Sequence, residues 1–242
     1  MQAPLLAAPR SLVVELAGRA LANGEPVLLF DAPDREGETD LIILSERATP
    51  ELIRLLRRDA GGLLCTAISS ELRERLQLPY LHELLLRESE RYPILGGLVN
   101  HTPRYDSRSA FGITVNHRTN FTGVPDNDRA RTVRALGELA REAARRTDAE
   151  LTAQFLEEFS SPGHIPLLYS APGLLAERKG HTELAISLAR MAHLSESVTV
   201  CEMLGDSGGP RSFEAAERYA DAHGWVFLDG KTVVEAYRSW SA

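Results

Sequence analysis

The stretch Asp34-Arg35-Glu36-Gly37-Glu38-Thr39-Asp40 lies between two short apolar runs, residues 26–30 and 41–44. Runs of this length predict two buried β-strands joined by a tight polar connection. Such a connection exposes its side chains at one edge of a sheet, where carboxylates can bind a divalent cation and an arginine can bind an anion. The alternative interpretation is a solvated acidic turn. The rest of the chain decides between the two.

Length and composition predict an ordinary globular protein, because 43% of its 242 residues are hydrophobic and 25% are charged. We expect one domain over residues 1–242, with a flexible N terminus at residues 1–10. The net charge of -7 leaves no basic stripe for nucleic acid. The apolar start lacks the features of a signal peptide, and no apolar run approaches the length of a membrane span. We therefore expect a cytoplasmic protein that binds neither nucleic acid nor membrane.

The two cysteines, Cys65 and Cys201, each lie in an apolar run and are not at metal-ligand spacing. This pattern predicts reduced thiols and no structural zinc site. A free cysteine in a buried strand is usually a small core residue, so a catalytic role for Cys65 needs support from elsewhere in the sequence.

Apolar periodicity predicts an alternation of helices and strands. Thr49 and Pro50 have the side chains expected at the start of a helix, and Gly61 and Gly62 are expected to end it. The segment 79–98 contains both helical and helix-breaking signals and stays unassigned. The predicted helices are 12–21, 50–58, 69–76, 128–146, 148–155, 184–192, 213–223 and 232–238. The predicted strands are 26–30, 40–45, 63–68, 111–115, 165–169, 197–203 and 225–228.

Two polar stretches in the middle of the chain could contribute to a site. Residues 119–123 precede a helix, and their hydroxyls and glycine could form a phosphate cradle at the helix N terminus. An ordinary capped loop would have the same composition. His164 follows Pro162 and Gly163 at the entrance of a predicted strand, where it is either a turn residue or a positioned acid/base.

A second diagnostic stretch is Glu177-Arg178-Lys179-Gly180-His181-Thr182-Glu183, which leads into the predicted helix 184–192. Cations, a glycine, a histidine and a hydroxyl at a helix start combine anion binding with a possible metal ligand. Thr182 is a natural N-cap, and His181 by itself would more often be a surface residue. Further along, Glu202 lies beside apolar residues of a β-branched strand, which makes it a candidate base near neutral pH.

Six motifs, taken in chain order, resemble those of the 3,4-dihydroxy-2-butanone 4-phosphate synthase family, in its archaeal form. They are residues 34–40, 61–65, 121–123, 161–164, 178–183 and 201–203. The similarity runs from about residue 12 to residue 238. It implies a mixed α/β (α+β) fold with three layers around a mixed β-sheet, acting as a homodimer with active sites near the subunit interface. It also implies conversion of D-ribulose 5-phosphate into L-3,4-dihydroxy-2-butanone 4-phosphate and formate for riboflavin biosynthesis, with Mg2+ or Mn2+.

The resemblance also implies roles for individual residues. Glu36 and His181 would ligate the metal next to the substrate, and Arg35 and Asp40 would hold substrate hydroxyls or orient the loop. His164 and Glu202 match the essential acid/base positions, and Cys65 matches an active-site cysteine. The residues implied to surround the substrate phosphate are Arg178, Lys179, Gly180, Thr182 and Thr122.

The chain departs from the family pattern in two respects. Ser207 stands where a second acidic residue is usual, which affects the expected conformation of the loop 205–210. Many bacterial relatives are fused to a zinc-dependent GTP cyclohydrolase, whose length and cysteines are not present, so we expect a monofunctional enzyme.

Three other hypotheses compete with this one. The chain could be another metal-dependent sugar-phosphate isomerase or lyase, which formate release would distinguish. It could be a threonylcarbamoyl-adenylate synthase, but that enzyme needs a nucleotide site and a basic face, and the sequence shows neither. It could also be a catalytically silent metabolite-binding protein, which would not need His164, His181, Glu36 and Glu202 together.

Overall fold

The computed structural model describes residues 10–99, 106 and 108–241. In this part of the chain, seven strands form one sheet in the order β4-β5-β3-β6-β2-β1-β7. The pairs β1–β7 and β3–β5 are parallel, and the other neighbouring pairs are antiparallel. The strands are β1 (Val27–Phe30), β2 (Thr39–Leu44), β3 (Cys65–Ile68), β4 (Phe111–His117), β5 (Phe159–Tyr169), β6 (Ser197–Glu202) and β7 (Val226–Asp229).

The helices follow the predicted order, and two short helices occupy the segment that the sequence left unassigned. Thr49 caps the second helix as predicted, because its hydroxyl accepts a hydrogen bond from the Leu52 N–H. That helix continues as a π-helical turn, Leu56–Ala60, which ends at Gly61 with φ of 89°. The α-helices are α1 (Arg10–Ala22), α2 (Pro50–Leu55), α3 (Ser70–Arg75), α4 (Leu81–Arg87), α5 (Pro93–Val99), α6 (Asp126–Glu142), α7 (Asp148–Glu158), α8 (His181–Met191), α9 (Phe213–His223) and α10 (Gly230–Trp240).

Helices cover both faces of the sheet, which confirms the three-layer prediction. In β2, Leu41 and Ile43 pack into one apolar cluster, with side chains of α2, α3, α6 and α9. Ile42 and Leu44 pack into a second cluster, with side chains of α1, α8 and α10. A strand buried on both faces reads as a continuous apolar run, which is the pattern of residues 41–44.

Two element starts differ from the predictions. β5 begins at Phe159, so His164 lies inside the strand and not at its entrance. Helix α8 begins at His181, with Gly180 and not Thr182 as its N-cap. A Cβ at position 180 would lie 2.3 Å from the Arg178 guanidinium and 2.7 Å from that of Arg35, so glycine leaves room for both side chains in their observed positions.

The extent of the domain, residues 1–242, stays a prediction. Of the N terminus predicted to be flexible, residues 1–9 lie outside the described residues, and Arg10 begins α1. Among the described residues, no helix combines the length and apolar character needed to cross a membrane.

Candidate active site

The two diagnostic stretches meet at one edge of the sheet. Asp40 in β2 pairs with Glu202 in β6, so the β1–β2 connection and the end of β6 lie side by side. The first residue of α8 reaches the same place. His181 Nδ1 lies 3.2 Å from Glu36 Oε2, and its Nε2 lies 3.2 Å from the Glu38 carbonyl oxygen. The fold therefore brings together the acidic loop and the start of α8.

Asp31, which the sequence analysis did not single out, organises the acidic loop. Its side chain is only 3% exposed. Asp31 Oδ2 accepts hydrogen bonds from the Glu36 N–H (3.0 Å) and the Arg35 guanidinium (3.1 Å), and Oδ1 accepts one from the Glu38 N–H (3.0 Å). An aspartate directly after a strand commonly organises the following turn in this way. The position of Asp31 after the predicted strand 26–30 was therefore the sequence signal that could have indicated its role.

The loop and α8 together offer ligands for a cation. Oxygen atoms of Asp31 and Glu36 and a ring nitrogen of His181 lie within 4.8 Å of one another. Among the described residues, Asp40 Oδ1 is buried without a hydrogen-bond partner, and it lies 3.6 Å from His181 Nε2. Carboxylate oxygens with one imidazole suit Mg2+ or Mn2+. The residues present therefore fit a divalent cation.

Charge interactions shift the pKa values of this cluster. Burial and the neighbouring carboxylates raise the pKa of Asp40 to about 7, although His181 opposes the shift. Burial alone would lower the pKa of His181, but Asp40 and Glu36 raise it to about 9. Burial alone would raise the pKa of Glu36, but its hydrogen bond with His181 and the charge of Arg35 lower it to about 2. The cluster thus favours a positive charge at its centre, whether a proton or a divalent cation supplies it.

An anion-binding region adjoins the carboxylate cluster. The Arg178 guanidinium donates to Asp106 and, at 2.5 Å, to Glu183 Oε2. Arg35 Nη2 donates to the same Asp106 oxygen at 3.2 Å. Two guanidinium groups that share one carboxylate can also share a phosphate. The N–H groups in the first turn of α8 lie beside Arg178 and add to this preference. Asp106 was not singled out from the sequence, and Glu183 was part of the second diagnostic stretch without a role of its own, because nothing in their spacing indicates these contacts.

Glu202 is held at the end of β6 by the chain that precedes β3. Its carboxylate Oε2 accepts a hydrogen bond from the Leu63 N–H at 2.7 Å, and its carbonyl oxygen accepts one from the Gly62 N–H at 3.0 Å. A Cβ on Gly62 would lie 2.4 Å from Glu202 Oε2. Gly62 is therefore required for the observed position of the carboxylate.

Residues of the carboxylate cluster and of the anion-binding region, together with Glu202, line a cavity of about 160 Å³. Cys65 belongs to its wall, where burial raises the pKa of the thiol and keeps it protonated. Both cysteines are free, as predicted. The predicted site residues that line the cavity are Arg35, Glu36, Asp40, Cys65, Arg178, His181, Thr182 and Glu202.

Four of the predicted site residues do not line this cavity. Gly180 is the buried N-cap of α8, and the other three are exposed. Lys179 is exposed next to Arg178. Thr122 is exposed, and its N–H donates to Asp128 Oδ2 at 3.2 Å. His164 is exposed on β5, where it contacts Asn116 of β4, the edge strand of the sheet. One chain therefore does not bring these three residues to the cavity.

Comparisons with known proteins agree with this fold and with the resemblance seen in the sequence. The family model for 3,4-dihydroxy-2-butanone 4-phosphate synthase matches residues 15–236. The chain is 44% identical over 227 residues to the 3,4-dihydroxy-2-butanone 4-phosphate synthase of Methanothermobacter thermautotrophicus, an alignment that covers 93% of this chain and 96% of the relative. It is 41% identical over 231 residues to the synthase of Methanosarcina mazei, with 94% and 92% coverage.

Solved structures show the same architecture. The 3,4-dihydroxy-2-butanone 4-phosphate synthase of Candida albicans is 30% identical and superposes with a TM-score of 0.68, covering 92% of this chain and 95% of that one. A synthase in complex with two magnesium ions superposes with the same score, 0.68, at 24% identity, with 89% and 92% coverage, and this likeness shows the fold. The family match over most of the chain and the identity to archaeal relatives confirm the resemblance, and the chain belongs to the 3,4-dihydroxy-2-butanone 4-phosphate synthase family.

Proposed function

We propose that this protein converts D-ribulose 5-phosphate into L-3,4-dihydroxy-2-butanone 4-phosphate and formate in riboflavin biosynthesis. The five carbons of the substrate divide between the two products, and no further reactant is needed. The observation that carries the proposal is the position of a cation-binding cluster directly beside an anion-binding region. Glu36 and His181 belong to the first, and Arg178 and the start of α8 belong to the second. A phosphorylated ketose needs both.

Glu36 and His181 would hold a divalent cation, Mg2+ or Mn2+. When bound, the ion would polarise neighbouring oxygens of the ketose as a Lewis acid. Asp31 is close enough to take part, but both of its oxygens already accept hydrogen bonds within the loop. Asp31 therefore positions Glu36, and Glu36 and His181 contact the ion.

The substrate phosphate would bind between Arg178 and the N terminus of α8. The N–H groups of Thr182 and its neighbours carry the partial positive charge of the helix end. Gly180 leaves the space that the two guanidinium groups occupy. Arg35, which is shared between Asp31 and Asp106, would orient the loop and contact substrate oxygens.

Proton transfer requires groups that accept and release protons near neutral pH. Glu202 is the proposed base. It is half-buried in the cavity wall, and its carboxylate accepts a hydrogen bond from the Leu63 N–H. Asp40 pairs with Glu202 across the two strands, and its raised pKa of about 7 suits a group that holds a proton during turnover. Cys65 would contact substrate as a neutral thiol.

We further propose that the enzyme is a homodimer in which His164 and Thr122 reach the cavity of the second copy. Neither residue lines the cavity of its own chain. The neighbour of Thr122, Phe121, is 97% exposed, and burying a phenylalanine in an interface is favourable. Lys179 would assist the phosphate site from the surface of the cavity mouth. The buried, free thiols suit a cytoplasmic location.

The main alternative is another metal-dependent sugar-phosphate isomerase or lyase with the same cation and phosphate sites. Such an enzyme would consume the substrate without forming formate. A silent binding protein would retain the Arg178 region but would not need Glu202.

Replacing Glu202 by Gln separates catalysis from binding. We expect Glu202→Gln to abolish formate release from D-ribulose 5-phosphate, while calorimetry still detects substrate binding. The matched control is Glu214→Gln, because Glu214 is exposed on α9. Formate release by Glu202→Gln at the wild-type rate would contradict the proposed role of the base.

A further inference from the structure

His164, the proposed acid/base residue on β5, is held by a single side chain of β4. Asn116 Oδ1 accepts a hydrogen bond from the His164 backbone N–H at 2.9 Å. Asn116 Nδ2 lies 3.0 Å from His164 Nδ1. One amide group thus contacts both the backbone and the ring of the histidine.

The backbone contact determines which way the Asn116 amide points. A backbone N–H can only donate, so the amide oxygen must face it, and the amide NH2 must face the ring. An NH2 group can only donate, so His164 Nδ1 must accept. Asn116 Oδ1 also lies 3.3 Å from Nδ1. A proton on Nδ1 could donate to Oδ1 over this longer distance. The protonated Nδ1 and the Asn116 NH2 group would then be two donors facing each other at 3.0 Å. The neutral imidazole therefore carries its proton on Nε2.

The turn 121–123 lies against the side chain of Asn116. Gly123 has φ of 95°, and a Cβ on it would lie 2.3 Å from Asn116 Nδ2 and 2.4 Å from Oδ1. Asp128 holds this turn. Asp128 is 8% exposed, and its Oδ2 accepts a hydrogen bond from the Gly123 N–H at 2.9 Å. Asp128, Gly123 and Asn116 thus form a chain of contacts that ends at the His164 ring, and this explains why a glycine stands at position 123.

We propose that Asn116 is a positioning residue that keeps neutral His164 protonated on Nε2, so that His164 donates a hydrogen bond to a substrate oxygen and does not act as the base. The inference rests on the proposed function, in which His164 reaches the substrate. The proposal gives Glu202 and His164 different roles in the reaction. The Glu202 carboxylate accepts a proton, and His164 Nε2 stabilises the oxygen on which charge develops.

The tautomer is measured directly by 15N NMR of protein labelled in its histidine rings, with the His164 signals assigned from their loss in His164→Gln. We expect wild-type His164, in its neutral form, to show a protonated Nε2 and an unprotonated Nδ1. Replacing Asn116 by Asp exchanges the NH2 donor for an acceptor of the same shape. This variant should move the proton to Nδ1 and lower formate release by about a hundredfold. Asn127→Asp adds the same charge at an exposed position of α6 and should change neither the His164 tautomer nor formate release.

The outcomes separate this inference from the proposed function. A wild-type His164 protonated on Nδ1 would overturn the inference, whatever the activity. A moved proton with unchanged formate release would overturn the role of His164 as donor. A wild-type protein that carries the predicted tautomer but releases no formate would contradict the proposed function, and the tautomer assignment would stand.

Discussion

Replacing Gly62 by Ala should displace the Glu202 carboxylate without changing any ionisable group. The added methyl carbon would lie 2.4 Å from Glu202 Oε2, 2.6 Å from its carbonyl oxygen and 2.8 Å from its Cβ. Two of these three atoms belong to the backbone or the root of the side chain, so a change of the outer torsion angles cannot relieve the contacts. The chain before β3 and the end of β6 must separate.

The expected loss follows from the hydrogen bonds that this separation breaks. The bond from the Leu63 N–H to Glu202 Oε2 has a charged acceptor, and such bonds contribute roughly 1.5–3 kcal/mol. If that amount is lost in the transition state, kcat/KM falls about 10- to 100-fold, because each 1.4 kcal/mol corresponds to about a factor of ten. Overpacking should lower the free energy of unfolding by about 1–3 kcal/mol.

The assay is formate release under saturating and limiting substrate, with thermal unfolding measured on the same samples. Gly209→Ala is the matched control, since a Cβ on Gly209 would meet no atom within 4 Å and the residue lies in the loop that follows β6. We expect the control to behave as wild type. A Gly62→Ala protein that is folded and has wild-type kcat/KM would refute the positioning of Glu202 by Gly62.

Three further predictions test other parts of the site. Arg178→Lys keeps the charge but loses the forked contact with Asp106 and Glu183, so the KM for substrate should rise about tenfold. The rise should be larger than in Lys179→Ala, and an equal rise in KM in both variants would contradict the phosphate site. Glu36→Gln should weaken Mn2+ binding by at least tenfold in a titration followed by electron paramagnetic resonance, and unchanged affinity would exclude Glu36 as a ligand. In EDTA, the pKa of His181 is raised from 6.5 to about 9, so its stabilising contribution is complete below pH 6.5 and is lost as the pH rises to about 9. The Tm of the wild type should therefore fall as the pH rises from about 8 to 9, above the Asp40 pKa of about 7, and a similar fall in His181→Asn would contradict this assignment.

The sequence was sufficient for most of the fold because its local signals agree with the tertiary structure. The apolar run 41–44 became a strand buried on both faces, and Thr49 capped α2 as its side chain predicts. The signals were weaker where long-range contacts decide. Gly180 and not Thr182 is the N-cap of α8, and two arginine side chains, the distant Arg35 and the local Arg178, fill the space that a Cβ at position 180 would need.

The candidate site was predictable as a set of motifs but not as an arrangement. The pairing of Glu36 with His181 depends on where α8 packs against the sheet, which no local pattern encodes. Asp31 was missed because its function is to hold backbone N–H groups, and a single aspartate after a strand is common. Gly62 was expected to end a helix and belonged to the motif 61–65, but its contact with Glu202 depends on the pairing of distant segments.

Formate release from D-ribulose 5-phosphate by the purified protein, measured with Mg2+ and with EDTA, determines whether the proposed reaction takes place. We expect formate in an amount equal to the four-carbon phosphate with Mg2+, and none with EDTA. Substrate that is bound or isomerised with Mg2+ without any formate would contradict the proposed reaction, and equal formate release in EDTA would contradict the role of the cation held by Glu36 and His181.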